Sequence, residues 1–203
     1  MVLSIGVLAL QGDFREHIET LTSFQDVIVR EVRTPMDLKN LDGLVIPGGE
    51  STAISKLAQL FEIDGAIKDF IQSGKPVLGT CAGMIMLANT IIDPKAGQQS
   101  FGGLDIEVRR NAFGRQVDSF ECTLQEHGFS KIPLHATFIR APWVEKVGSN
   151  VSVLAEIMSD TGENKPVAVR QGNVIATSFH PEISDEMQVH AYFLDIVRAL
   201  RST

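Results

Sequence analysis

Two short stretches of the chain carry residue types that could do chemistry together. The first is Gly79-Thr80-Cys81-Ala82-Gly83, which follows the apolar run Pro76-Val77-Leu78 and leads into helix-forming sequence. A Gly-x-Cys-x-Gly turn between strand and helix is the cysteine form of a nucleophile elbow, in which strained backbone lifts the reactive side chain clear of the sheet. Glycine suits both flanks because a Cβ at Gly79 or Gly83 would collide with a neighbouring element. The helix that starts after Cys81 directs N–H groups and a positive dipole end at the sulfur, which favours the reactive thiolate. The second stretch is Thr177-Ser178-Phe179-His180-Pro181-Glu182. Residues two apart in an extended chain point the same way, so His180 and Glu182 share a face, and Pro181 keeps His180 out of the helical region. A thiol nucleophile needs a base beside it, and an imidazole needs a carboxylate to fix its tautomer. Cys81, His180 and Glu182 meet that need if the ends of their strands converge.

A third stretch, Pro47-Gly48-Gly49-Glu50-Ser51-Thr52, follows the strand expected over 41–46. Successive glycines at the carboxyl end of a strand leave backbone N–H groups free to face a ligand, and in open α/β sheets that end is where ligands bind. The same residues also read as a plain turn with Ser51 or Thr52 as helix N-cap. The cysteine elbow at the equivalent end of the next strand favours the ligand role. The remaining histidines make a poor case: His17 and His190 fall on expected helices, His127 in a turn and His135 in a strand. None has metal-ligand spacing with a cysteine or carboxylate, so no metal site and no cofactor are expected. Cys122, within Phe120-Glu121-Cys122-Thr123, reads as a strand thiol.

The elements that must position these groups alternate at first. Strands are expected over 3–10, 26–32, 41–46 and 76–80, the first and third almost continuously apolar, as buried parallel strands are. Helices are expected over 14–24, with Asp13 as N-cap and Ile18, Leu21 and Phe24 inward, then to about Leu60, over 63–73, and from the elbow to about Thr90. Thr34-Pro35 opens a short helical turn, with proline at the first helical position. Residues 93–103, rich in glycine and glutamine, read as an exposed loop. Beyond them the period changes to that of strands, over 104–112, 118–124, 134–140, 151–157, 166–171 and 173–179, with Gln171-Gly172-Asn173 a tight hairpin. A closing amphipathic helix over 186–201 turns Met187, Phe193, Leu194, Val197 and Leu200 inward. The pattern predicts an α/β fold with a strand-rich second half, as one domain over 1–203.

With 203 residues and 44% apolar content the chain can bury a full core. A formal charge of −7 and the lack of any basic run argue against a nucleic-acid or anionic-membrane partner. Two cysteines in dissimilar settings are no disulfide framework, so a reducing compartment is expected. No apolar run reaches the roughly 18 residues of a membrane span, and Met1-Val2-Leu3-Ser4-Ile5 reads as a first strand and not a leader. A cytoplasmic protein is the expectation.

Taken in order, Pro-Gly-Gly-Glu-Ser, Gly-Thr-Cys-Ala-Gly and Phe-His-Pro-Glu resemble the motifs of the triad (class I) glutamine amidotransferases. The chain is similar, more narrowly, to the family of glutaminase subunits of pyridoxal 5′-phosphate synthase. That match rests on Ile5-Gly6-Val7-Leu8-Ala9-Leu10-Gln11-Gly12, on the run from Arg110 through Asn111-Ala112-Phe113-Gly114-Arg115-Gln116-Val117-Asp118 to Glu121, and on Phe138-Ile139-Arg140-Ala141-Pro142. The resemblance implies a three-layer, flavodoxin-like mixed sheet with helices on both faces. It implies that Cys81 attacks the side-chain amide of L-glutamine, that His180 serves as base and then as acid to the leaving ammonia, and that Glu182 orients His180. It further implies an oxyanion hole from the backbone N–H groups of Gly49 and Ala82, and contacts to glutamine from Gly49, Glu50, Ser51, Arg110, Ile139 and Arg140. Of the two neighbouring arginines, Arg110 and not Arg109 is expected to face the site.

Members of that family pass ammonia to a separate barrel-shaped synthase subunit, in a hetero-oligomer. Gln11 and its neighbours, at the carboxyl end of the first strand, are expected beside the active-site mouth, where they belong to the partner's docking surface and help order the oxyanion hole. Rival readings keep the elbow and change the rest: the glutaminase of imidazole glycerol phosphate synthase, a γ-glutamyl peptide hydrolase, or a non-catalytic member of the cysteine-elbow superfamily.

Overall fold

In the computed structural model the described residues are 2–110, 112, 119–159, 162–184 and 186–202. Among the described residues twelve strands and five α-helices follow in the order β1 (Leu3–Leu8), α1 (Phe14–Thr22), β2 (Val27–Val32), β3 (Gly43–Ile46), α2 (Ser51–Leu60), α3 (Asp64–Gln72), β4 (Val77–Thr80) and α4 (Ala82–Leu87), then β5 (Ala88–Ile92), β6 (Leu104–Arg109), β7 (Ser119–Leu124), β8 (Leu134–Ile139), β9 (Trp143–Val147), β10 (Ser152–Met158), β11 (Asn164–Gln171), β12 (Val174–Thr177) and α5 (Gln188–Arg201). A 3-10 turn over Pro35–Leu38 stands where Thr34-Pro35 predicted one.

The main sheet has seven strands in the order β10-β11-β12-β4-β3-β1-β2. Its five strands from β12 to β2 are parallel, and β11 and β10 close one edge antiparallel. The expected mixed α/β sheet is thus the observed one. Strand alternation sends Leu44, Ile46 and Val77 into one core with α2, α3 and α4, while Val45, Leu78 and Ile175 meet α1 and α5 in the other. Burying both faces explains why β1, β3 and β4 carry almost no polar residue.

Parallel order puts the carboxyl ends of β1, β3, β4 and β12 side by side at one edge. The elbow follows β4, the glycine turn follows β3, Gln11 follows β1 and His180 follows β12. A two-stranded hairpin, β7 with β8, carries Ile139 and Arg140 to the same edge.

Several expectations need correction. The helix after the elbow ends at Leu87, and Ala88–Ile92 is a strand that pairs with β6 in a separate three-stranded sheet with β9. The β-branched run Thr90-Ile91-Ile92 explains the early stop. The strand β9 (Trp143–Val147) was not expected at all. Asp13 precedes α1 without a side-chain cap. Residues 93–103 are not a plain exposed loop, because Gln98 and Phe101 are buried. In α5, Phe193, Leu194 and Val197 are buried, but Leu200 is exposed, as is Met187 just before the helix. The asparagine-to-aspartate part of the family stretch, Asn111 and 113–118, lies outside the described residues.

Candidate active site

Cys81 has φ 47° and ψ −102°, a backbone region that a non-glycine residue occupies only under strain. Two things hold it there. The Cys81 N–H donates to Thr177 O at 2.8 Å, tying the elbow to the end of β12, and α4 follows immediately. The turn can be this tight because a Cβ on Gly83 would overlap the carbonyl oxygen of Ile46, and one on Gly79 would lie 2.6 Å from Leu87 Cδ1. The sulfur sits 3.8 Å from Ile139 O, so the β7–β8 hairpin reaches over the thiol.

His180 is 3% exposed and Glu182 7%, and His180 Nδ1 lies 2.7 Å from Glu182 Oε1. The expected pairing therefore forms, though not by extended chain. Residues 181–183 make a turn after His180, with Ile183 N–H directed at His180 O over 3.4 Å. His180 itself is anchored by its N–H donating to Thr137 O at 2.9 Å, so β8 and β12 place the imidazole jointly.

The electrostatics favour a charged imidazole. Burial pulls the His180 pKa down, but the hydrogen bonds and negative charge of Cys81 and Glu182 outweigh it and push it up to about 10. Burial pushes Glu182 above the ordinary carboxylate value, against the pull of its His180 hydrogen bond. Taken singly the two directions conflict, since a raised acid favours a neutral pair and a raised base an ion pair. The pair titrates as a unit that holds one proton in the 2.7 Å bond, and imidazole, the stronger base, keeps it.

The wall of the site comes from the glycine turn and the loop beyond α4. Gly49 has φ 136°, and a Cβ there would lie 2.6 Å from Gln11 Oε1, so the position needs glycine twice over. That same Gln11 oxygen accepts the Glu50 N–H at 2.8 Å. Gln11 is therefore a brace on the turn that bears Gly49. Glu50, and not Ser51 or Thr52, is the N-cap of α2: its Oε2 accepts from Ala53 N–H at 2.7 Å, and its Oε1 accepts from Arg110 Nη2 at 3.0 Å. Arg109 points the other way, to Glu145 and Asp93. Arg140, at φ 44°, is a second strained residue on the rim.

Gln11, Gly49, Glu50, Ser51, Cys81, Ala82, Arg110, Ile139, Arg140 and His180 all line one cavity of about 540 Å³. Glu182 stands behind His180 and does not line it. A larger cavity of about 650 Å³ lies between β7 and β10, but its one thiol, Cys122, is pushed up by burial, away from the reactive form. Chemistry therefore belongs to the smaller cavity.

Three contributors escaped the sequence reading. Gln98 donates from Nε2 to Ser51 Oγ at 3.0 Å and accepts from Arg110 Nη1 at 2.9 Å, locking the two walls together. Asp13 Oδ2 lies 3.5 Å from His180 Nδ1. Asp13, His180 and Glu182 bring ligand atoms within 4.8 Å of one another, a closeness that the His180–Glu182 hydrogen bond accounts for. His17, set aside as a helix residue, packs directly behind Glu182. Its spacing of four residues from Leu21 puts it on the buried face of α1, but nothing in that spacing points to Glu182.

Comparison with known proteins agrees with this geometry. The family model described as the SNO glutamine amidotransferase family matches residues 7–199. The chain is 56% identical over 198 residues to the pyridoxal 5′-phosphate synthase subunit PdxT of Streptomyces avermitilis, covering 98% of this chain and 96% of the relative. It is 54% identical over 195 residues to the subunit of the same name from Salinispora tropica, covering 96% of each. A crystal structure of a glutamine amidotransferase superposes with a TM-score of 0.86 at 44% identity, covering 96% of this chain and 98% of that one. The chain belongs to the SNO glutamine amidotransferase family.

Proposed function

We propose that this chain is the glutaminase subunit of a pyridoxal 5′-phosphate synthase, with residues 1–203 acting as one glutaminase domain in the cytoplasm. The observation that carries the reading is the convergence of Cys81, His180 and Glu182 at one sheet edge, with Gly49 lining the same cavity as Cys81 and His180.

In this reading the Cys81 thiolate attacks the side-chain amide carbon of L-glutamine. The backbone N–H groups of Gly49 and Ala82 receive the developing oxyanion, each worth about 3–4 kcal/mol in comparable acyl transfers. The imidazolium of His180 gives its proton to the leaving nitrogen, ammonia departs, and a glutamyl thioester remains on Cys81. Neutral His180 then takes a proton from water as it attacks, and glutamate leaves. Glu182 holds the Nδ1 proton throughout and so keeps Nε2 aimed at the sulfur. Arg110 supplies the fork for the substrate α-carboxylate and Glu50 the charge for its α-ammonium, with Ser51, Ile139 and Arg140 closing the amino-acid end.

Ammonia released into water would be protonated and lost, so a partner over the mouth makes physical sense. Exposed Ile139 and Ile183 beside Gln11 support an apolar docking rim there. The partner in this reading is the barrel-type synthase subunit that consumes the ammonia. The site is tested with 6-diazo-5-oxo-norleucine, a glutamine analogue that alkylates the attacking nucleophile. Its mass should appear on the Cys81 peptide, and excess glutamine should suppress it; labelling of Cys122, or indifference to glutamine, would contradict the assignment.

A further inference from the structure

Behind Glu182 lie two more histidines that the triad as described does not use. His17 comes from α1 and His190 from α5, and both are 0% exposed. Their rings stand 5.1 Å apart at 55°, with His17 Nδ1 2.9 Å from His190 Nε2. The other nitrogen of His17, Nε2, lies 3.0 Å from Thr80 Oγ1 and 3.4 Å from Glu182 Oε2. A line of polar groups thus runs from His180 through Glu182 and His17 to His190. At its inner end His190 Nδ1 has no hydrogen-bond partner, and Glu182 Oε2, buried and equally without one, has His17 Nε2 at 3.4 Å.

The hydrogen-bond inventory decides where the protons sit. Suppose His17 carried its proton on Nδ1 and donated it to His190 Nε2. His190 would then have its N–H on Nδ1, buried with nothing to receive it, and the lone pair of His17 Nε2, though it could accept from Thr80 Oγ1–H, would face the carboxylate oxygen of Glu182. Both are costly. With the protons reversed, His190 Nε2–H donates to His17 Nδ1, and His17 Nε2–H faces two acceptors, Thr80 Oγ1 and Glu182 Oε2. Only a lone pair is then left unsatisfied at His190 Nδ1, the cheaper defect. Both rings stay neutral: burial, then the neighbouring His190 and His180 charges, hold His17 well below the ordinary histidine value, and burial pushes His190 down to about 4.

We propose that His17 is a positioning residue of the catalytic triad, a neutral imidazole whose Nε2–H braces the Oε2 edge of Glu182, with His190 fixing its tautomer from behind. The proposal rests on the triad reading above. Oε1 of Glu182 is committed to His180, so a donor on Oε2 fixes the plane of the carboxylate and with it the direction of the imidazole. Thr80 immediately precedes Cys81, so the same nitrogen also touches the strand that carries the nucleophile. The 3.4 Å contact has room to shorten when charge moves onto the His180–Glu182 pair during turnover.

Two measurements test it, both on the full chain. The first is glutamate release with the synthase partner present, for His17→Leu and His17→Gln. Groups that orient a metal-bound histidine from behind are commonly worth roughly 10–100-fold, and the same range is taken for a triad brace. His17→Leu should lower kcat in that range with KM for glutamine little changed, and should move the alkaline limb of kcat/KM to lower pH; His17→Gln, which restores an N–H, should recover much of both. An unchanged kcat and limb in His17→Leu, or equal damage from both variants, would overturn the proposal. The second is nitrogen-15 imidazole spectroscopy of the unaltered chain, which does not depend on a variant folding. Two rings fixed as neutral Nε2–H tautomers from pH 6 to 9 are expected, a window in which an ordinary histidine, titrating near 6.5, would change charge. An Nδ1–H tautomer at His17, or titration in that range, would overturn it. No glutamate release by the unaltered chain would strike the triad reading instead, and the spectrum would still decide the direction of the hydrogen bonds.

Discussion

At the scale of single residues the site spends stability on geometry. Cys81 at φ 47° and ψ −102° holds strain of about 1–3 kcal/mol, the usual range for such backbone. Cys81→Gly should therefore abolish glutamate release and yet raise Tm, by a few degrees after the entropic cost of glycine is set against the relief. Thermal denaturation checks it, and a Tm below that of the unaltered chain would mean the elbow is not strained. His180 makes a pH prediction with a definite sign. Its pKa is raised to about 10, so its stabilising pairing is fully present below the ordinary histidine value near 6.5 and is lost as pH rises through about 10. Thermal stability should fall on that alkaline side, and His180→Ala should flatten the fall. The candidate catalytic groups themselves were legible because Gly-x-Cys-x-Gly and His-Pro-Glu are local patterns. His17, Gln98 and their partners were not, because a contact across 173 residues, as between His17 and His190, leaves no mark on local spacing.

Elements set how finely those residues are held. Helix α4 leaves the sheet so close to β3 that Gly83 rides on the Ile46 carbonyl, where backbone cannot yield as a side-chain tip can. Gly83→Ala should destabilise the chain by about 1–3 kcal/mol or more, the usual cost of overpacking. Urea denaturation checks this, and stability within error of the unaltered chain would show the contact to be soft. Strands β1, β3 and β4 were plain in the sequence, since burial on both faces writes a continuous apolar run. The strand β5 was not, because the run from Ala82 to Ile92 is apolar at nearly every position and shows neither period clearly. The loop after it was misjudged for a related reason: polar Gln98 is buried by its bonds to Ser51 and Arg110, not by hydrophobicity.

On the scale of the whole molecule, strand order converts separate motifs into a site. Nothing in the periodicity says that β12 pairs with β4, yet that pairing, with the Thr137 anchor from β8, sets His180 beside Cys81. The main sheet also brings the end of β1 next to the glycine turn, where Gln11 braces Glu50 N–H at the cavity mouth. Gln11→Ala should cut partner-stimulated glutamate release while leaving Tm nearly unchanged; undiminished stimulation would remove Gln11 from the link between docking and the oxyanion hole. Among the described residues no helix is long and apolar enough to cross a membrane. The most direct test of the central claim is glutamate release from glutamine, measured with and without a pyridoxal 5′-phosphate synthase subunit, with Cys81→Ala as the blank. Strong stimulation by the partner that disappears in Cys81→Ala is the predicted result; no release in either condition, or release that survives the loss of the thiol, would contradict it.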